Sequence, residues 1–160
     1  MIRPVTLSDA QALADIYNPY VLGTTITFEE VAVTPEEMAS RIDTVTLTLP
    51  WFVCEFQGAV AGYAYATPWK ARSAYRRTVE SAIYVDVDHA HQGIGRRVYE
   101  SLLAELKTKG IRAVLGGIAL PNEASVALHE RLGFEKVGQL KEVGWKLNRW
   151  VDVGYWERRL

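Results

Sequence analysis

The feature that most constrains this chain is a strand pattern that runs into two glycines and opens a helix. Thr78-Val79-Glu80-Ser81-Ala82-Ile83-Tyr84-Val85 leads through a polar linker to Gln92-Gly93-Ile94-Gly95-Arg96, and an amphipathic run continues from Arg97 to Lys109. Such a junction aims a row of backbone N–H groups at one spot, where the helix dipole also favours an anion, so a phosphorylated ligand is expected there. Spacing narrows the choice. A dinucleotide fingerprint needs a third glycine three residues after the second, where this chain has Val98, and an acidic residue ending the next strand, which it lacks. A nucleoside-triphosphate loop closes with Gly-Lys-Ser/Thr, whereas Gly95 is followed by Arg96 and Arg97. A phosphate-holding turn of another kind and a plain glycine-rich turn remain.

The rest of the chain bounds the setting. Its 160 residues suffice for one domain with a substantial core, so a single domain over 1–160 is expected. A net charge of -1 argues against nucleic acid or an anionic membrane surface as the main partner and leaves small ligands. The single cysteine, Cys54, follows Trp51-Phe52-Val53 and reads as a buried strand thiol, because apolar surroundings raise a thiol's pKa. No segment approaches the ~20 apolar residues of a membrane span. Met1-Ile2-Arg3-Pro4 has no apolar core of a signal peptide, so a cytoplasmic protein is expected. The histidines and acids lack ligand spacing, and no metal is expected.

Periodicity gives the order of elements. Ser8-Asp9-Ala10-Gln11 reads as a capping box after a short first strand, and Leu13, Ile16, Tyr17 and Tyr20 recur at helical spacing. Thr34-Pro35-Glu36-Glu37 is a second box, with proline at the first helical position, for a helix through Ile42. Trp51 to Phe56 and Ala59 to Thr67, joined by Gln57-Gly58, predict a hairpin, and Thr78 to Val87 a third antiparallel neighbour. Ile94, Val98, Leu102 and Leu106 form one stripe of a helix ending at Lys109-Gly110. Ala113 to Leu120, apolar throughout, is predicted to lie centrally in the sheet. Asn122 can cap a fourth helix that stops at Leu132-Gly133, and two further strands follow. The predicted order is β-α-α-β-β-β-α-β-α-β-β.

Three groups of polar residues stand out against these elements. Glu80 is a carboxylate in mid-strand, costly to bury, and reads either as a general base or as half of an ion pair with a nearby arginine. Asn122, Ser125 and His129 make one polar stripe on the fourth helix, and His129 reads as a packed, hydrogen-bonded residue or as a proton donor. Lys70, Arg72, Arg76 and Arg77 form a basic loop with Trp69 and Tyr75, either solvated or holding a flat oxyanion, for which Arg72 is suited.

The glycine loop resembles the pyrophosphate loop of the GNAT acetyltransferase superfamily, and so does the order of elements. Pro68-Trp69-Lys70-Ala71-Arg72-Ser73-Ala74-Tyr75 with Thr78-Val79-Glu80-Ser81 closely resembles the signature of phosphinothricin N-acetyltransferases within it. So do Leu120-Pro121-Asn122-Glu123-Ala124-Ser125 through Leu128-His129, and Trp150-Val151-Asp152-Val153-Gly154-Tyr155-Trp156. The resemblance covers nearly the whole chain. It implies an α/β (α+β) GNAT fold, a mixed, mostly antiparallel sheet of about seven strands flanked by four helices. It implies transfer of an acetyl group from acetyl-CoA to the α-amino group of phosphinothricin or a methionine sulfone- or sulfoximine-type amino acid, by direct attack in a ternary complex. Glu80 and His129 would be the catalytic pair, and Phe28, Lys70, Arg72, Tyr75, Glu80 and Val153 would line the amino-acid site. Ile83, Tyr84, Val85, His91, Gln92, Gly93, Ile94, Gly95, Arg96, Asn122 and Ser125 would hold the cofactor, and a homodimer is implied. One departure is Ala90, where the family usually has Gln or Arg, so weakened cofactor binding is expected. Rival readings are a GNAT acting on a protein N-terminus, an aminoglycoside or another small amine, and a coenzyme A-binding regulatory domain without catalysis; the basic loop argues against a polycationic substrate.

Overall fold

The computed structural model describes residues 1–160. Its elements are β1 (Ile2–Pro4), α1 (Ala10–Gly23), α2 (Pro35–Thr46), β2 (Trp51–Phe56), β3 (Ala59–Pro68), β4 (Thr78–Val85), α3 (Ile94–Thr108), β5 (Ala113–Leu120), α4 (Glu123–Arg131), β6 (Glu135–Lys146) and β7 (Arg149–Arg159). The order is the predicted one. One seven-stranded sheet runs β1-β2-β3-β4-β5-β7-β6, antiparallel at every junction except β4 with β5. β5 lies inside the sheet, as its unbroken apolar run requires.

Strand alternation sends neighbouring residues to opposite faces and builds a core on each. Val53 and Tyr63 pack with Leu13, Tyr17, Met38 and Ile42 from α1 and α2. Cys54, Ala64 and Val114 pack with the Val98, Leu102 and Leu106 stripe of α3, so the lone thiol is a buried strand residue. No helix is long and apolar enough to cross a membrane.

Three boundaries differ from the sequence reading, each for a tertiary or side-chain reason. The box at the start of α1 is made by Thr6 and Asp9: Asp9 accepts from the Thr6 backbone N–H at 2.7 Å and from its hydroxyl at 2.9 Å. Arg3 holds Asp9 there with two bonds of 2.8 Å, pulling its carboxyl down to about pKa 2, while Gln11 turns to Asp15. α2 continues past Ile42 to Thr46, because the Thr44 and Thr46 hydroxyls donate to the carbonyls of Ser40 and Ile42 and satisfy the last turn. β4 stops at Val85, since the Asp86 carboxylate accepts from the Asp88 N–H and starts a single 3-10 turn.

The decisive irregularity is between β4 and β5. Only Thr78, Val79 and Glu80 pair with Ala113, Val114 and Leu115. β5 keeps all eight of its pairs with β7, so beyond Glu80 the two parallel strands splay and a cleft opens between them.

Candidate active site

The cleft has a volume of about 710 Å³ and is walled by Glu80 to Tyr84 of β4 and Gly117 to Ala119 of β5. The loop carrying Ile26 to Glu29, the α4 residues Asn122, Ser125 and His129, and Val153 and Tyr155 of β7 complete it. The loop is firmly held. The buried Lys146 donates to the Thr27 carbonyl at 2.7 Å, Arg149 donates to the Thr25 hydroxyl at 2.8 Å, and Arg41 grips Glu29 with bonds of 2.6 and 2.9 Å. Phe28 brings the tip of its ring against Gly144, where an added Cβ would come within 2.3 Å of it.

Glu80 has neither a hydrogen bond nor an ion pair; the chain's ion pairs all lie elsewhere, and Arg72, Arg76 and Arg77 are exposed. The ion-pair alternative is therefore not realised. Burial pushes its carboxyl above the ordinary value of 4.5. Its Oε1 sits over Gly117, 2.9 Å from where a Cβ on that residue would stand.

His129 is 3% exposed and fully engaged. Its Nδ1 donates to the Ser125 carbonyl at 2.7 Å, and Nε2 meets the Tyr99 hydroxyl at 3.1 Å. Tyr99 in turn shares a 2.6 Å bond with Ser81, whose hydroxyl also has the Leu115 carbonyl within reach as an acceptor at 3.2 Å. Burial lowers the imidazole below its ordinary 6.5, so the neutral ring is favoured, with its proton on Nδ1 because a carbonyl can only accept. Gly116 makes room for this ring; a Cβ there would lie 2.6 Å from Nε2.

At the end of β4 the glycine loop forms the expected cradle. His91 and Gly93 both take left-handed φ, at 63° and 72°, and Gly93 caps α3. The N–H groups from Ala90 to Arg96 have no acceptor in the protein and converge at the helix N-terminus, which fits a pyrophosphate. Arg96 turns its side chain to Glu100 at 2.8 Å, leaving the cradle to the backbone. His89 is half-buried, 3.3 Å from the Asp86 carboxylate and edge-on to Phe56. Asn122 caps α4 by accepting from the Ser125 N–H.

Of the expected substrate residues, Phe28, Glu80 and Val153 meet in the cleft, while Lys70, Arg72 and Tyr75 stand on an exposed loop outside its lining. Of the expected cofactor residues, Ile83, Tyr84, Asn122 and Ser125 line the cleft, and Val85 with residues 91–96 lies just beyond it. Four contributors escaped the sequence reading. Tyr155 lines the cleft and packs edge-on against Trp69 at 5.5 Å, tying the basic loop to its wall. Glu29 brings a second carboxylate, and Ser81 with Tyr99 brings the hydroxyls beside His129. Two adjacent glycines in a central strand, Gly116 and Gly117, were the available signal, since glycine there marks a close approach.

Comparison with known proteins agrees with this fold. The acetyltransferase (GNAT) domain family matches residues 2–154. A phosphinothricin N-acetyltransferase from Streptomyces viridochromogenes is 43% identical over 157 residues, covering 98% of this chain and 86% of its own. An L-methionine sulfoximine/L-methionine sulfone acetyltransferase from Salmonella typhimurium is 34% identical over 160 residues, 99% of this chain and 94% of its own. The crystal structure of a GNAT superfamily phosphinothricin acetyltransferase from Sinorhizobium meliloti, in complex with AcCoA, superposes with a TM-score of 0.96 at 35% identity, covering 100% of this chain and 88% of that one. A family match over nearly the whole chain and a relative at 43% identity place it plainly: the chain belongs to the GNAT family of N-acetyltransferases.

Proposed function

We propose that the protein transfers the acetyl group of acetyl-CoA to the α-amino group of phosphinothricin or a related amino acid of the methionine sulfone or sulfoximine type, by direct attack in a ternary complex. The observation that carries this reading is the unpaired Glu80 carboxylate in the cleft, on the same strand that leads into the free N–H groups of the glycine loop. Bound acetyl-CoA would supply the thioester carbonyl. The residues of the chain do the rest. The N–H groups of Gln92 to Arg96 hold the pyrophosphate, and Asn122 and Ser125 line the path toward the reacting end. An amino acid reaches the cleft as an ammonium, and Glu80, with its basicity raised by burial, is suited to take a proton from it directly or through water. Phe28 and Val153 offer apolar contact to the side chain, and the role of receiving its anionic end falls to Lys70, Arg72 and Tyr75, on the loop whose Trp69 packs against the cleft residue Tyr155. Exposed Val137, Leu140, Val143, Trp145 and Trp150 gather on the β6–β7 hairpin and support a homodimer through that face.

One observation favours a second reading, acetylation of a protein N-terminus or another amine without a second acidic group: the cleft lining itself contains no lysine or arginine. A thiol-release assay with acetyl-CoA separates the two. Phosphinothricin, methionine sulfone, methionine sulfoximine and a peptide panel are compared; turnover of the amino acids is expected, and turnover of peptides alone would overturn the leading reading.

A further inference from the structure

Neither nitrogen of His129 is free to meet a ligand. Nδ1 is spent on the Ser125 carbonyl, Nε2 faces Tyr99, and the ring is sealed against Gly116. Tyr99 is wholly buried, stacked on Phe134 at 5.6 Å, and cannot touch the cleft either. The third member can. Ser81 lies on the cleft wall, one residue beyond Glu80, at the point where β4 leaves β5.

We propose that Ser81 and Tyr99 form a hydroxyl chain through which Nε2 of His129 exchanges a proton with the cleft. With His129 neutral, Tyr99 donates to Nε2 and Ser81 donates to Tyr99. A proton released in the cleft by the substrate amine is taken by Ser81 Oγ, Ser81 gives its own proton to Tyr99, and Tyr99 gives its own to Nε2. One N–H and two O–H bonds break, two O–H and one N–H bonds form, both hydroxyls end neutral, and the imidazole becomes imidazolium. The chain then reverses: Nε2–H donates to Tyr99, Tyr99 to Ser81, and Ser81 to the Leu115 carbonyl at 3.2 Å, so every donor keeps an acceptor. Burial holds the Tyr99 phenol well above its ordinary value, so it passes protons without resting as a phenolate.

The groups facing this chain are few. α3 contributes Tyr99, α4 contributes His129 with the Ser125 carbonyl and, 3.4 Å from Nδ1, the Ser125 hydroxyl, β4 the Ser81 hydroxyl and β5 only the Leu115 carbonyl and the Gly116 backbone. From β7, the charged Arg158, which donates to the Leu132 carbonyl, acts on Tyr99. Glu80 points to the other face of the sheet, as shown by its contact with Gly117.

This proposal rests on the reading of His129 as a catalytic group, and Tyr99 is a positioning residue acting through it. The test uses ¹⁵N NMR of the histidines together with steady-state kinetics. In the wild type the neutral His129 ring is expected with its proton on Nδ1; a proton on Nε2 would overturn the chain. Tyr99→Phe is expected to lower kcat about 10-fold with KM for both substrates unchanged. It should also move the His129 titration to lower pH, because the imidazolium has lost its acceptor. Wild-type kcat and titration in that variant would overturn the proposal. Should Tyr99→Phe not fold, Ser81→Ala is read by kcat alone, with the same fall expected at unchanged KM and a wild-type kcat overturning the proposal. His129→Gln with full activity would end the catalytic reading itself, whereas an inactive His129→Gln beside an unaffected Tyr99→Phe would end only the chain.

Discussion

Glu80 and His129 approach one cleft from opposite faces of the sheet and in opposite chemical circumstances. Gly116 and Gly117 are adjacent, so the directions they vacate point to opposite sides, and each leaves room for one of the two. On one side stands a carboxylate with no partner, pushed toward its neutral form by burial alone. On the other is an imidazole with both nitrogens bonded. A group left unpartnered is available to a ligand and costs the fold stability, whereas a group fully bonded is stable and reachable only through its partners.

The largest effect should come from the unpartnered side. Glu80→Gln is expected to lower kcat by about 10²- to 10⁴-fold at neutral pH, with partial recovery as pH rises and free amine accumulates. The same variant should melt no lower than the wild type, and slightly higher near pH 7. The folded pKa of Glu80 is raised, so its ionised form burdens the folded state above that pKa; the burden fades as pH falls toward 4.5, and so should the gain in the variant. His129 runs the other way on the pH scale. Its folded pKa is depressed, so its penalty is absent above 6.5 and grows as pH falls below that value. Wild-type rates in Glu80→Gln at every pH would remove Glu80 as the base and dissolve the contrast.

The glycines sharpen the comparison at the next level. Gly117→Ala sets a Cβ 2.9 Å from Glu80 Oε1, the free end of a side chain that can swing aside. Activity should fall about 10- to 100-fold through the displaced carboxylate, with little change in the denaturation midpoint. Gly116→Ala sets a Cβ 2.6 Å from a ring that is bonded at both nitrogens and cannot give way. Chemical denaturation should show a loss of about 1–3 kcal/mol there. Equal stability losses in the two variants would mean that Glu80 is held as rigidly as His129.

The smallest effect belongs to the basic loop. Arg72→Lys should raise KM for the amino acid about 5-fold through loss of bidentate contact, with KM for acetyl-CoA unchanged. A change confined to acetyl-CoA would assign Arg72 to the other half of the cleft.

The elements were legible in the sequence because each carried a long, clean period: the Ile94, Val98, Leu102, Leu106 stripe and the Ala113 to Leu120 run left little choice. Boundaries failed where a side-chain bond outside the apolar period decided them, as the Arg3–Asp9 pair did at the start of α1. Glu80 and His129 were legible as polar residues in apolar elements. Tyr99 was not, because beside Val98 and Leu102 it reads as one more core position, and its bond to Ser81 exists only once α3 has packed across β4. The cleft itself was invisible, since it follows from parallel pairing that stops after three residues, and no local pattern encodes where two strands part.

The glycine pair also decides where the fold can be made hardier. Glycine inside a strand is entropically expensive in the unfolded chain, and replacing it is a common route to heat tolerance. At positions 116 and 117 that route is closed from both sides of the sheet. Gains of this kind have to be sought at places such as Gly23 or Gly138, where an added Cβ meets nothing within 4 Å.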